Sequence, residues 1–124
     1  MEKLNDLSWD EFERVDLRVG TIISAEIFEE AIKPAIKMKI DFGAEIGIKK
    51  SSAQITDHYN SESLVGKQIS AVVNFPKKQI GPFMSECLVT GFTQHDGSII
   101  LAVPDKNAIN GSRLAGDISL LTRL

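Results

Sequence analysis

The stretch from Lys67 to Phe92 constrains the fold most, because two strand-like apolar segments flank a charged and proline-punctuated one. Gln68 to Phe75 is rich in β-branched residues and reads as a strand. Pro76 stops it, since proline donates nothing to a ladder and fixes its own φ. Two adjacent cations follow, Lys77 and Lys78, and then Gly81-Pro82, which forces a loop. Phe83-Met84 is apolar, Ser85-Glu86 polar, and Cys87-Leu88-Val89 apolar again. The pattern predicts a basic, aromatic-tipped loop between two buried segments, the layout of a binding loop on a rigid β scaffold.

At 124 residues the chain has room for one domain. Ser8 to Glu13 reads as a short helix, with Ser8 as cap and Glu11 completing a capping box. Trp9 and Phe12 share a face of that helix and are expected to cover one end of a barrel. Val15 to Phe28 reads as a long strand, with Val15, Leu17, Val19 and Ile23 on one face and Arg18, Ser24 and Glu26 on the other. Gly20 sits mid-strand, where a glycine marks a bulge or a sharp coil. Ala35 to Phe42 alternates cleanly, Ile36, Met38, Ile40 and Phe42 inward against Lys37, Lys39 and Asp41 outward.

After a turn at Gly43, residues 45–50 pair back with Ile46 and Ile48 inward, which leaves Lys37, Lys39 and Lys49 on outer faces. These lysines form either a basic stripe or a solvated face. Ser51 to Ile55 is expected to start a short helix, and Ser61 to Gly66 to make a second helical turn ended by glycine. Thr90 to Asp96 reads as a polar loop, Asp96-Gly97 as a hairpin turn, Ser98 to Val103 as the last strand and Asn110-Gly111 as a tight turn. Periodicity alone supports a five- or six-stranded antiparallel domain.

Four separated motifs, in order, carry a resemblance. They are Val15-Asp16-Leu17-Arg18-Val19-Gly20, Ile40-Asp41-Phe42-Gly43, Ser51-Ser52-Ala53-Gln54-Ile55-Thr56, and Asn74-Phe75-Pro76 with the basic pair and Ser85-Glu86. Together they are similar to the tRNA-binding domain family, which includes the C-terminal domain of bacterial methionyl-tRNA synthetases and stand-alone dimers. The details resemble its CsaA-type, export-related chaperones most. The resemblance implies an all-β fold, a small five-stranded OB-fold barrel with a short N-terminal helix and a short helix between strands 3 and 4. It covers about residues 12–114 of a single domain, 1–124. It also implies that Asn74, Ser85 and Glu86 lie at a surface that grips the outer corner of tRNA, shared by two subunits.

The chemistry of the residues bounds the function further. Net charge is −3, against the positive excess usual in a nucleic-acid binder, although basic residues crowd the middle of the chain. Lys49, Lys50, Lys77 and Lys78 suit phosphates; Ser51, Ser52, Gln54, Asn74 and Ser85 suit sugar or base edges. Phe83 is either a stacking face or an apolar lid. Glu86 would repel phosphate and fits a structural acceptor for loop amides.

The competing reading is a chaperone that takes unfolded or export-destined polypeptides in an apolar groove, with Ile80, Phe83 and Met84 as candidates. The apolar tail, with Ile118, Leu120, Leu121 and Leu124, is expected in a homodimer interface. No phosphate loop, nucleophile elbow or zinc motif is present in the sequence, so neither catalysis nor a cofactor is expected. Cys87 reads as a small core residue, and His58 as a surface residue without metal partners. A single cysteine, no long apolar run and no signal-peptide pattern make the expected compartment the cytoplasm, with no membrane partner.

Overall fold

The computed structural model describes residues 5–116. In order, these form α1 (Trp9–Glu13), β1 (Leu17–Ile27), β2 (Ile36–Asp41), β3 (Ile48–Ala53), α2 (Ser61–Leu64), β4 (Gln68–Val72), β5 (Lys78–Ile80), β6 (Phe83–Ser85), β7 (Leu88–Val89), β8 (Gly91–Thr93) and β9 (Ile99–Leu101). An antiparallel sheet in the order β3-β2-β1-β4-β7 curls into a nearly closed five-stranded barrel of OB type. The hairpins β5–β6 and β8–β9 hang from it.

Closure begins with β1, which serves two neighbours in turn. Its first half pairs with β4 from Leu17↔Val72 to Thr21↔Gln68, and its second half pairs with β2 from Thr21↔Asp41 to Ile27↔Ile36. The halves meet at Thr21, and just beyond it a bulge between Ile22 and Ser24 leaves Ile23 without a partner in β2. A bulge of one residue bends and twists a strand, which is what a small barrel needs from its first one. Gly20 lies beside the bend: a Cβ there would meet the Ile40 Cγ2 at 2.6 Å and the Phe42 ring at 2.7 Å. The chain after the Asn110-Gly111 turn runs along the other flank of β1, where Val19 N donates to Ser112 O and Leu114 N to Leu17 O.

The core is the inward side of these strands. Ile22, Ile36, Ile40, Leu64 and Ile69 are wholly buried, with Met38, Phe42, Ile55, Cys87 and Leu101 beside them. β2 alternates as the sequence predicts, Ile36, Met38 and Ile40 inside. The capping box of α1 is also present, with Ser8 Oγ accepting from Glu11 N and Glu11 Oε1 from Ser8 N. α2 ends before Gly66, capped by Asn60, and fills the expected place between β3 and β4.

Several expectations are corrected. Ser51 to Ala53 does not start a helix: it completes β3, paired through Met38↔Ser51 and Ile36↔Ala53. That register puts Lys49, Ser51 and Ala53 on the inward side, so Lys50 rather than Lys49 joins Lys37 and Lys39 outside, and Ile48 is 57% exposed. In β1 the inward residues are Gly20 and Ile22; Leu17 and Val19 share the outer face, but the bulge at Ile23 brings Ser24 and Glu26 onto that face with them instead of opposite it. Trp9 is 66% exposed and covers no barrel end, while Phe12 is half-buried. The loop at Gly81-Pro82 is the tip of an ordered hairpin, and Gly91 to Thr93 is a strand paired with β9 rather than part of a polar loop. Ile118, Leu120, Leu121 and Leu124 lie outside the described residues.

Replacing Gly20 by alanine tests the packing of the bend. The added methyl has to displace buried Ile40 and Phe42, so we expect a loss of about 1–3 kcal/mol, read from the denaturant midpoint at unchanged m-value. A variant as stable as the parent would show that the strands are not in contact there.

Candidate nucleic-acid interface

Three lysines share the outer face of the β2–β3 ribbon. Lys39 stands directly opposite Lys50, and Lys37 opposite Ser52. Like charges directly across a strand pair disfavour the sheet, so an uncompensated Lys39–Lys50 pair is a place where an anion stabilises the fold. Lys37 is the compensated member: Glu26, its cross-strand partner from β1, lies 3.2 Å from its Nζ. Among the described residues, Lys39, Lys49, Lys50 and Lys78 have no carboxylate within 4.0 Å.

The β5–β6 hairpin leans over this face. Phe83 is half-buried, and its ring meets the buried Phe28 ring edge-on, centroids 5.4 Å apart. Lys50 Nζ lies 5.4 Å from the Phe83 centroid, and Lys37 Nζ lies 5.3 Å from Phe28 and 5.9 Å from Phe83. Lys78, exposed at the start of β5, pairs across the hairpin with Ser85. Lys77 reaches Glu86, Nζ to Oε2 at 3.5 Å.

Glu86 itself closes the barrel. Its N–H donates to Lys50 O at 2.8 Å, and its Oε1 accepts from Lys50 N at 2.9 Å. The carboxylate thus stands in for a missing strand partner on the open edge of β3. The Lys50 amide holds its pKa below the ordinary 4.5, burial opposes this, and Lys77 lowers it further. Ser51 and Cys87 complete the seam: Ser51, 1% exposed, donates from Oγ to Cys87 O at 2.8 Å. Burial pushes the Cys87 thiol up to about 11, so it is protonated and inert at neutral pH.

The residues picked out from sequence therefore divide. Lys50, Ser52, Lys77, Lys78, Phe83, Ser85 and Glu86 converge at the junction of β3 with the β5–β6 hairpin. Ser51 is turned into the seam, and Lys49 lies on the same side, near enough to Cys87 to act on its thiol. Asn74 is spent elsewhere: its Nδ2 donates to Arg14 O at 2.6 Å and its Oδ1 accepts from Asp16 N at 3.1 Å, which ties the end of α1 to the barrel. Gln54 and Ile80 line an adjoining cleft of about 590 Å³, with Ile32 and Lys33, which shares Phe28 and Ser52 with the lysine face. Met84 is half-buried opposite Gln79. Lys37, Lys39 and Phe28 belong to the lysine face and were not singled out as site residues; the alternation of β2 is the signal that marks the two lysines.

Residues 17–113 match the family model described as a putative tRNA-binding domain. The chain belongs to that family. Among solved structures, this tRNA-binding domain is similar to the chaperone CsaA of Bacillus anthracis, with 47% identity and a TM-score of 0.85 over 90% of this chain and all of that one. The CsaA chaperone protein of Picrophilus torridus gives 48% and 0.83, over 89% of this chain and all of that one. A MetRS-related protein from Pyrococcus horikoshii shares 26% identity at a TM-score of 0.80, over 90% of this chain and all of that one. The methionine–tRNA ligase of Chlorobium chlorochromatii is 33% identical over 85% of this chain, which spans only 14% of that enzyme.

Two outcomes test the seam of this tRNA-binding domain. A carboxylate whose pKa is lowered by folding adds stability above its ordinary pKa and loses it as pH falls through the folded value. Glu86→Gln should therefore flatten the fall in thermal midpoint between about pH 6 and about pH 3; a wild-type slope in the variant would remove Glu86 from the closure. Cys87 should resist alkylation by iodoacetamide in the native protein and react at once in denaturant, as followed by mass.

Proposed function

We propose that this chain is a non-catalytic, cytoplasmic homodimer that holds tRNA or tRNA-like RNA by its phosphates and overall shape. The supporting observation is the direct opposition of Lys39 and Lys50 on an outer strand face, continued by Lys78 and Lys77 on the neighbouring hairpin. An acidic protein gains little polyanion affinity from its mean charge, but Lys37, Lys39 and Lys50 on one strand face raise the potential locally. Ser52 stands within that field as a neutral donor, whereas the Ser85 hydroxyl donates to Cys87 O at 3.3 Å, and family membership supports tRNA as the RNA class. Base stacking contributes little, because Phe83 is already covered by lysines.

Pairing of two copies is supported by the outward face of β1. Leu17, Val19, Phe92, Val103 and Leu114 line a groove of about 660 Å³, with Phe92 64% exposed. The chain passes Leu114 and Ala115 in that groove and continues into the apolar residues Ile118, Leu120, Leu121 and Leu124. In our reading the corresponding segment of a second copy covers it.

A second reading, a chaperone for unfolded polypeptides, is favoured by the other cleft. Ile32 stands fully exposed at its mouth, and Phe28, Ala35 and Ile80 give it apolar walls. The CsaA relatives are called chaperones.

Salt separates the two. Filter binding of total tRNA should weaken steeply as salt rises, with a log–log slope of about 0.7–0.9 per phosphate contact. Lys39→Ala with Lys50→Ala, and separately Lys77→Ala with Lys78→Ala, should each lower both affinity and slope. If neither pair moves the slope, the lysine face is not the RNA site. An unfolded peptide that binds with flat or rising salt dependence, and loses affinity on Ile32→Asp, would favour the cleft instead.

A further inference from the structure

Three cation–aromatic contacts converge on one pair of rings, Phe28 and Phe83. Since such contacts occur roughly once per 70–80 residues, three around two rings form a cluster. Phe28 is 2% exposed and fixed in the barrel wall, and Phe83 packs edge-on against it at 60°. The pair is therefore a rigid platform, whereas the lysine side chains above it are the flexible elements of the site. Lys37 comes from β2 and Lys50 from β3, diagonal neighbours on one face. Their mutual repulsion would drive two unheld ammonium groups apart. The Phe83 centroid lies 5.9 Å from the Lys37 Nζ and 5.4 Å from the Lys50 Nζ, so one ring attracts both.

We propose that Phe83 is a positioning residue for polyanion binding: it touches no base, but its ring holds the Lys37 and Lys50 ammonium groups side by side where phosphate oxygens meet them. This rests on the RNA reading above and assigns Phe83 its part in it. A base stacking on that ring would first have to displace an ammonium group, at a loss of charge where the ligand needs it. Holding the lysines before binding removes part of the ordering cost that a phosphate would otherwise impose on them. Glu26 acts on the same group from the other side: it anchors Lys37 at 3.2 Å while itself 73% exposed in its side chain, so a phosphate can replace it without opening the core.

The test is a double-mutant cycle on tRNA binding at low salt, with Phe83→Leu, Phe83→Tyr, Lys37→Gln with Lys50→Gln, and the triple variant carrying Phe83→Leu. Thermal unfolding checks that each is folded. Phe83→Leu should lose about three- to tenfold in affinity, the value of one or two cation–aromatic contacts, and Phe83→Tyr should stay within about twofold. In the Lys37→Gln, Lys50→Gln background, Phe83→Leu should cost nothing more. A full, additive loss in that background would show that Phe83 contacts RNA directly and would overturn the inference. So would a tyrosine variant as weak as the leucine one.

A readout without RNA stands beside it. In the free protein the ε-methylene protons of Lys37 and Lys50 should be shifted upfield by the rings, and the Lys50 shift should vanish in Phe83→Leu. Unshifted protons would overturn the inference whatever RNA does. Shifted protons in a wild-type protein that ignores tRNA would instead refute the RNA reading, and the same cycle with heparin as the polyanion then decides the role of Phe83.

Discussion

The two-way bond between Glu86 and Lys50 is the constraint on which the rest of the molecule depends. A five-stranded sheet with two free edges is an open ribbon; joining those edges turns it into a barrel with an enclosed core. Here β3 and β7 approach, but the residue joining them is Glu86, which supplies its own N–H and its carboxylate to the amide and carbonyl of Lys50. Ser51 adds a buried hydroxyl bond to Cys87 O one step further on. Without these, a backbone N–H next to the core would lack a partner, a loss of about 1–3 kcal/mol. The carboxylate that sequence reasoning would set against phosphate binding is therefore the reason that the lysine-bearing face has a fixed shape.

Electrostatics follow from the same geometry. The chain as a whole carries net charge −3, and the Lys39–Lys50 pair would cost stability if the protein did nothing but fold. Placing like charges opposite one another on an exposed ribbon, with an aromatic ring to steady one of them, is a local departure from the most stable arrangement. Such departures mark functional surfaces. Two neighbouring carboxylates, Glu26 and Glu86, temper the field, each taken up by one lysine.

How far the sequence could be read depended on whether a signal was local. The alternation of Ile36, Met38 and Ile40 is local, and β2 came out in phase. So did the capping box of Ser8 and Glu11. The grouping of β1 failed beyond Ile22 because the bulge at Ile23 shifts the period and brings Ser24 and Glu26 to the outer side with Leu17 and Val19. Which of two adjacent lysines faces outward was set by the register of Ser51 against Met38, which no window of sequence around Lys49 contains. The motif marks Asn74 as a contact residue, whereas its amide bonds backbone about sixty positions earlier, at Arg14 and Asp16. The motif gathered several of these residues at one junction, while the contacts of each side chain came from partners distant in the chain.

The two oxygens of Glu86 have separate employers. Oε1 is bound to the Lys50 amide, and Oε2 faces the Lys77 ammonium at the surface. A charge that drew Lys77 away would take nothing from Oε1, so the ring of strands need not loosen. A barrel closed in this way behaves as a pre-cast frame: exchanging the outer partner of Glu86 consumes only the freedom of a side-chain tip and leaves the strands as they were.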